Sequence, residues 1–345
     1  MAYTTINKPS LQFNTALYTG NGSTLTVTGV GFQPDFTWLK ERSAAGNHKL
    51  ADVVRGTTKY LSSNLTDAED TTGSGIQSWN SDGFSLSNAT DINDNGITYA
   101  SWNWKANGAG VSNTQGSITS TVSANTTSGF SIVSYTGNGT SGATVGHGLG
   151  VAPAFTIVKN RSMAGRNFQG FHQSLGNTKS HLLNSTEVPR TNVVFWNNTS
   201  PTSTLITLGN DADVNESGKS FIAYCFAEVK GYSKFGSYTG NGSTDGTFIY
   251  TGFKPAFVLQ KTTSTTSDWN IVDNKRSTYN VNNLRLNPNT SSAESTSPDY
   301  CDLLSNGFKF RASSSGINGS GETNIYAAFA ENPLVGTNNT PATAR

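Results

Sequence analysis

Three copies of one unit follow one another along the sequence, and this repeat restricts the folds that the chain can adopt. The segment Tyr-Thr-Gly-Asn-Gly begins at Tyr18, Tyr135 and Tyr238. Copies two and three share one register, because 103 residues separate Tyr135 from Tyr238 and also Asn215 from Asn318. Copies one and two are 117 residues apart, which indicates extra residues between them. The sequence therefore predicts three similar modules.

The residues inside each copy predict β-strands. Short runs of aromatic and β-branched residues are bounded by turn residues, as at 130–135 and 155–159, and such runs indicate strands. The apolar run 222–227 indicates a strand at the centre of a sheet. No stretch keeps a helical spacing of apolar residues, so helices should be few and short. We expect an all-β protein of three tandem antiparallel β-sandwich modules of jelly-roll type.

An Asn-Gly pair lies between two strand-like runs in the repeated segment, as Asn138 and Gly139 do. Both residues tolerate positive φ, which a type I′ turn requires. The pair therefore predicts a tight β-hairpin at this point of each copy.

Changes in composition predict the boundaries between the modules. Residues 107–129 are rich in Ser, Thr and Gly and predict a flexible linker. The modules are expected at residues 1–106, 130–232 and 233–335, and residues 336–345 form a polar tail.

Charge and hydropathy argue against several classes of function. Charged residues make up 13% of the chain, the formal net charge is +1, and no cluster of Lys and Arg suggests a nucleic-acid partner. No apolar run is long enough to predict membrane insertion. The first residues do not resemble a secretory signal, so we expect assembly in the cytoplasm. The two cysteines, Cys225 and Cys301, have no metal or redox spacing, and no cofactor is predicted.

One segment resembles the start of a calcium-binding loop. Asp91, Asn93 and Asn95 are oxygen-bearing residues at alternating positions before a glycine. Trp102 stands where such a loop requires a glutamate, and the equivalent segments of the other copies lose the carboxylates. A structural turn shared by the three copies explains the pattern better than a metal site does.

Catalysis is not predicted, because no pair of carboxyl groups or nucleophile motif is assembled in the sequence. The pair Asp52 and Arg55 recurs in copy three as Asp273 and Arg276, which favours a structural ion pair or a hydrogen bond within a turn. The four histidines are scattered without ligand spacing. The carboxylates considered for glycan cleavage are Asp52, Glu41 and Glu69.

Carbohydrate binding is a stronger candidate than catalysis. Trp79, Trp196 and Trp269 lie in polar, loop-like surroundings, where an exposed indole ring could stack on a sugar. The other interpretation is that each ring covers one end of a sandwich core. The sequence leaves both interpretations open.

The repeated motifs resemble modules found in virion proteins of marine tailed phages. The resemblance is carried by PSLQFNTALYTGNGST, GVGFQPDFTWLKERS, YASWNWKA and the stretch from FIAYCFAEVKGYSKFGSYTGNGST to TGFKPAFVLQK. It covers all three copies and implies lectin-like β-sandwich modules without catalytic residues. Copy two departs from the pattern, because STLITLGN replaces the strand that begins before Phe84 in copy one and Phe308 in copy three.

This resemblance implies a non-enzymatic structural protein of a bacteriophage virion, placed on the particle surface as a tail-fibre, tail-attached or capsid-decorating component. The expected partners are other virion proteins and host surface glycans. A homotrimer is favoured, and the alternative is that one chain with three modules provides threefold symmetry by itself. The alternative functions are a carbohydrate-binding receptor adhesin and, less favoured, a capsule-degrading tail enzyme.

Overall fold

The computed structural model describes residues 3–335, except for the side chains of residues 297–299. Within this range the chain forms antiparallel β-sheets, and the single α-helix found there is α1 (Val193–Trp196). The predicted all-β, antiparallel fold class is confirmed. The predicted polar tail, residues 336–345, lies outside the described residues.

We refer to residues 3–106, 107–232 and 233–335 as repeats 1, 2 and 3. Repeat 1 contains a short 3-10 turn (Pro9–Leu11) and strands β1 (Phe13–Thr19), β2 (Leu25–Val27), β3 (Phe36–Glu41), β4 (Lys49–Asp52), β5 (Ile76–Asn80), β6 (Gly83–Leu86) and β7 (Thr98–Trp104). Repeat 2 contains, besides α1, strands β8 (Val111–Asn113), β9 (Ser120–Asn125), β10 (Phe130–Thr136), β11 (Ala143–Gly146), β12 (Phe155–Asn160), β13 (Phe168–His172), β14 (Lys179–Leu182), β15 (Arg190–Thr191), β16 (Leu205–Leu208) and β17 (Ser220–Phe226). Repeat 3 contains strands β18 (Ser233–Thr239), β19 (Phe248–Tyr250), β20 (Phe253–Thr262), β21 (Trp269–Asp273), β22 (Asn282–Arg285), β23 (Ser295–Leu304), β24 (Gly307–Phe310) and β25 (Thr323–Pro333).

The same arrangement of four strands recurs in each repeat. Its order is β1-β7-β3-β4 in repeat 1, β10-β17-β12-β13 in repeat 2 and β18-β25-β20-β21 in repeat 3. We call these the inner sheets. Outer strands cover each of them, in the orders β2-β6-β5, β11-β16 and β19-β24-β23-β22. Strand β16 lies within the divergent STLITLGN segment, so copy two keeps an outer strand there despite its different sequence.

Both faces of the inner sheets are buried. One face of each contributes to a common core that contains residues of all three repeats. The opposite face packs on the outer strands of its own repeat. Because side chains alternate along a strand, Trp38 enters the common core while Leu39 enters the core of repeat 1. This double burial explains why the central strand β17 of repeat 2 is almost continuously apolar. Prominent rings in the common core are Phe13, Trp102, Trp104, Phe155, Phe226, Phe257 and Phe329.

Residues 107–129 do not form the flexible linker predicted from their composition. Strand β9 pairs with β10, and β8 pairs with β9, so the segment extends the inner sheet of repeat 2. Ile118 and Val122 are buried in the core of that repeat. Ile118, Val122 and Ala124 are separated by even numbers of positions, so their side chains lie on one face of a strand. The Ser and Thr residues between them do not prevent strand formation, because Thr is itself favourable in sheets. Repeats 1 and 2 are therefore joined by paired strands.

The predicted Asn-Gly hairpin is also wrong. Strand β10 pairs with β9 and β17, whereas β11 pairs with β16. Of the pair Asn138 and Gly139, only Gly139 has positive φ, at 72°, so a type I′ turn is not formed. The segment instead carries the chain from the inner to the outer sheet.

Loops that follow the fourth inner strand connect each repeat to the next. The carbonyls of Thr66, Thr186 and Ser291 accept backbone N–H groups of repeats 2, 3 and 1, respectively, at 3.1, 3.0 and 2.9 Å. The contacts run from repeat 1 to 2, from 2 to 3 and from 3 back to 1. The three repeats thus form a closed ring around the common core, and we call their boundaries seams 1–2, 2–3 and 3–1.

Candidate functional site

Two of the three candidate tryptophans are in the interior. Trp196 and Trp269 are 3% and 1% exposed, so neither offers a ring face to a sugar. Trp269 packs in the common core and donates its Nε1–H to the Leu182 carbonyl at 2.8 Å. Trp79 is half-buried against the core of repeat 1. Of the two interpretations that the sequence left open, the interior one is therefore right for Trp196 and Trp269.

The calcium-like segment is a structural turn. The side-chain amide of Asn93 is buried and donates to the carbonyls of Ser23 and Ser87. Asp91 pairs with Lys49 at 3.3 Å, and Asn95 is exposed. The three predicted ligands therefore do not converge on one point. Across residues 3–335, no group of three or more His, Cys, Asp or Glu side chains is arranged to hold a metal ion.

An equivalent asparagine clamps this turn in every repeat. Asn93, Asn215 and Asn318 are fully buried, and each Oδ1 accepts the backbone N–H of the asparagine in the Tyr-Thr-Gly-Asn-Gly segment, at 3.0, 2.9 and 3.2 Å. The tyrosine of the same segment donates to the carbonyl that precedes the clamp, at 2.7, 2.7 and 2.5 Å. These bonds explain why the sequence repeats at both places.

The first glycine of each Tyr-Thr-Gly-Asn-Gly segment is required by the close approach of two backbones. A methyl group on Gly137 would collide with the carbonyl oxygen of Glu216, and Gly20 and Gly240 have equivalent close contacts. A side chain at this position would therefore push the repeated segment away from the clamped turn.

A buried ionic network holds seam 1–2. Arg55 Nε donates to Asp52 Oδ2 at 2.5 Å, and its Nη1 donates to Glu69 at 3.1 Å. Glu69 also accepts from Arg161 of repeat 2 at 2.7 and 2.9 Å. The Tyr224 hydroxyl, also of repeat 2, donates to Asp52 at 2.8 Å. The arginine partners lower the pKa of Glu69 against the effect of burial.

The same network recurs at seam 3–1. Arg276 bonds Asp273 at 2.5 Å and Glu294 at 2.9 Å, and Glu294 accepts from Arg42 of repeat 1 at 2.9 Å. Trp102 Nε1 replaces the tyrosine hydroxyl and donates to Asp273 at 3.0 Å. The Asp-x-x-Arg pairs predicted as structural ion pairs are therefore confirmed, and their carboxylates are committed to the seams.

Seam 2–3 has no such network, because His172 occupies the position of the aspartate and Leu175 that of the arginine. His172 Nε2 donates to the Tyr326 carbonyl of repeat 3 at 3.1 Å. Burial lowers the pKa of His172 to about 4, so this ring is neutral at physiological pH. A neutral hydrogen bond thus replaces the charged network at this seam.

A buried lysine crosses each seam. Lys40, Lys159 and Lys261 occupy equivalent positions, and their Nζ atoms donate to the same loop carbonyls of the neighbouring repeat, at 3.2, 3.5 and 3.0 Å. Burial lowers the pKa of each amine to about 8. Like the ionic networks, these cations join repeats and do not face a cleft.

The remaining titratable candidates are also interior. All four histidines are buried, and His48 accepts from Trp38 Nε1 at 2.8 Å while its Nε2 donates to the Asn287 carbonyl at 3.1 Å. Glu41 is buried, and burial together with Asp91 raises its pKa to about 7. These groups have little access to a substrate.

Two adjoining clefts of about 570 and 690 Å³ reach the solvent. Both are lined by Tyr3, Glu228 and Lys230. Lys234 and Tyr250 complete the first of them. We call this combined feature the tyrosine cleft. It lies where the start of repeat 1, the β9–β10 turn and the connection into repeat 3 meet.

Tyr250 of the tyrosine cleft and Phe248, which lies two residues before it and outside the cleft lining, carry exposed aromatic rings. Tyr250 and Phe248 on the edge strand β19 are 51% and 45% exposed. The pairing of β19 with β24 matches that of β2 with β6, so the equivalent residues of repeat 1 are Thr28 and Thr26. Our reading of the sequence missed these rings, although the departure from the repeat was a signal that could have found them.

Among residues 3–335, no helix is long and apolar enough to cross a membrane. Comparison with curated proteins and with solved structures found no match. One family model, described as "Domain of unknown function (DUF7483)", matches residues 8–333. This match covers most of each of the three repeats but not Tyr3 of the tyrosine cleft, and the chain belongs to the DUF7483 family.

Proposed function

We propose that this chain is a non-enzymatic structural protein of a bacteriophage virion, exposed on the particle surface as a tail-fibre, tail-attached or capsid-decorating component. The proposal rests on the resemblance of its repeated segments to phage virion modules and on the use that the fold makes of its charged groups. Other virion proteins would be its partners.

The observation that carries the proposal is the closed ring of repeats. Its seams contain buried ion pairs or histidine, and each is crossed by a lysine. A buried charge without its partner destabilises a protein by about 3–5 kcal/mol, so these contacts resist separation of the repeats. A body of this kind suits a permanent part of a particle.

Immunogold labelling of intact purified particles with an antibody against this chain tests the proposal. Gold at the tail or at fibre tips supports a tail component, and gold over the head supports a decorating protein. If no gold binds, mass spectrometry of disrupted particles distinguishes a protein whose epitope is hidden from a protein that is absent. If the protein is absent from disrupted particles, the proposal is wrong.

A second candidate function is a carbohydrate-binding receptor adhesin, and the tyrosine cleft favours it. The candidate tryptophans do not support it, since two of the rings are buried. An adhesin needs an accessible site, and the tyrosine cleft supplies exposed aromatic and charged side chains together.

A further inference from the structure

We infer that the tyrosine cleft binds an acidic carbohydrate, a sugar chain that carries carboxylate or sulfate groups. This inference goes beyond the proposed structural role. It concerns residues that the sequence did not single out, and binding by the purified chain is measured without reference to its place in a particle.

The exposed rings of Phe248 and Tyr250 are the first argument. They stand on one face of β19, two residues apart, where repeat 1 has the small polar residues Thr26 and Thr28. Exposing large rings to water is unfavourable, and clustered exposed apolar surface commonly marks a binding site. The loss of repeat symmetry at these two positions indicates a function that repeat 1 does not share.

The shape of the cleft is the second argument. Its first part, about 570 Å³, falls within the range of roughly 300–1,000 Å³ that small-ligand sites occupy. An aromatic face packs against the C–H groups of a sugar, while charged and amide groups bond its hydroxyls. Tyr3, Tyr250 and Glu228 provide both kinds of group in one cleft.

Charge selects the acidic class of sugar. Lys230 and Lys234 face one carboxylate, that of Glu228, along the first part of the cleft. Glu228 Oε1 already accepts two hydrogen bonds, from Gln173 Nε2 at 3.1 Å and from the Phe235 backbone at 3.0 Å. Two ammonium groups against one carboxylate give this part of the cleft a net positive charge, which favours an anionic ligand.

Tyr3 is held in place as part of the wall. Its hydroxyl donates to the Gly252 carbonyl at 2.7 Å, and Lys230 Nζ lies 4.8 Å from the centre of its ring. Burial, followed by Tyr250, raises the pKa of Tyr3 to about 12, so the hydroxyl remains a donor at neutral pH. Tyr3 is thereby held beside the cleft before a ligand arrives.

Isothermal titration calorimetry on the full chain tests the inference, with a mannuronate hexamer, a sulfated galactan hexamer and the neutral maltohexaose as probes. Tyr250→Thr restores the residue type of repeat 1, and Lys230→Gln removes one charge. Tyr279→Thr is the matched control, because Tyr279 is an exposed tyrosine of the same repeat outside the cleft. Thermal unfolding of every variant verifies that it is folded.

We expect at least one acidic hexamer to bind, with affinity lowered about tenfold or more by each cleft variant and unchanged by Tyr279→Thr. Preference for one hexamer distinguishes carboxylate from sulfate. Three results overturn the inference: no binding of either acidic hexamer, equal binding of maltohexaose, or affinity that neither cleft variant changes. If Tyr250→Thr fails to fold, Lys230→Gln on the surface still decides the matter.

Discussion

Replacing the clamp asparagine of one repeat should destabilise all three repeats together. Asn215 is fully buried, and its Nδ2 donates to the carbonyls of Thr140 and Gly209, both at 2.9 Å. Its Oδ1 accepts the Asn138 backbone N–H at 2.9 Å. Asn215→Ala leaves these three backbone groups without that partner. At about 1 kcal/mol for each group, the free energy of unfolding should fall by about 3 kcal/mol.

The shared core determines how this loss is distributed. Because the inner sheets of all repeats pack on one core, repeat 2 cannot unfold without exposing rings of repeats 1 and 3. We therefore expect one cooperative transition in urea, shifted as a whole by the substitution. Asn93→Ala and Asn318→Ala, in the equivalent clamps, should shift the same transition by a similar amount.

Probes in different repeats make the result decisive. Cys225 in repeat 2 and Cys301 in repeat 3 are buried thiols whose pKa burial raises, so they react with alkylating reagents only after unfolding. Four of the six tryptophans lie in repeat 1, so tryptophan fluorescence follows mainly the unfolding of that repeat. Asn88→Ala, at an exposed position, is the control. If Asn215→Ala moves the Cys225 transition alone, the reasoning from a shared core is refuted.

Three further predictions concern the seams. Burial lowers the pKa of Lys261 to about 8, below the unfolded value of about 10.4, so the unfolded chain binds more protons between these values and stability rises with pH. Relative to Lys261→Met, the free energy of unfolding of the natural chain should rise on the order of 2 kcal/mol between about pH 7.5 and 9.5, and a constant difference would contradict this. Glu294→Gln should lower the free energy of unfolding, measured in urea, by about 3 kcal/mol, because it breaks a buried ionic network. The control Glu187→Gln, at an exposed ion pair, should change it by less than about 0.5 kcal/mol. Equal effects of the two substitutions would contradict the stabilising role of the buried network. Limited proteolysis with an unspecific protease should not cleave within residues 107–129, because this segment is paired in a sheet. Release of a folded fragment 1–106 would show instead that the segment is a flexible linker.

The sequence predicted the elements better than it predicted how they assemble. Strand runs such as 155–159 and the buried strand at 222–227 were identified from period and composition, and both are central strands of inner sheets. The Asp52 and Arg55 pair was interpreted correctly because it recurs with its spacing in repeat 3. Strands and short-range ion pairs depend on residues that are close in sequence. The repeat helps to identify them, because the same pattern occurs in more than one copy.

The common core was not predicted, because the sequence of a strand that is buried on both faces does not show what each face contacts. The second face can pack on its own module or on a neighbouring one. Phe36, Trp38 and Leu39 illustrate this, since two of these side chains enter the common core and one enters the core of repeat 1. The sequence could not decide whether the candidate tryptophans are exposed, for a related reason. Polar neighbours in sequence do not reveal whether a ring is covered in the fold, and the exposed rings of β19 were not singled out.

One chain with three repeats can differ at places where a homotrimer cannot. A homotrimer would carry three identical seams and three identical clefts. Here two seams contain charged networks and one contains His172, and exposed rings stand at Phe248 and Tyr250 but not at the equivalent threonines of repeat 1. Conserving the clamped turns and the core keeps the ring closed, while each repeat diverges on its outer surface. A homotrimer of this chain remains a prediction, but the threefold arrangement needed for a closed core already lies within one molecule, and its asymmetry provides a single tyrosine cleft where the three repeats meet.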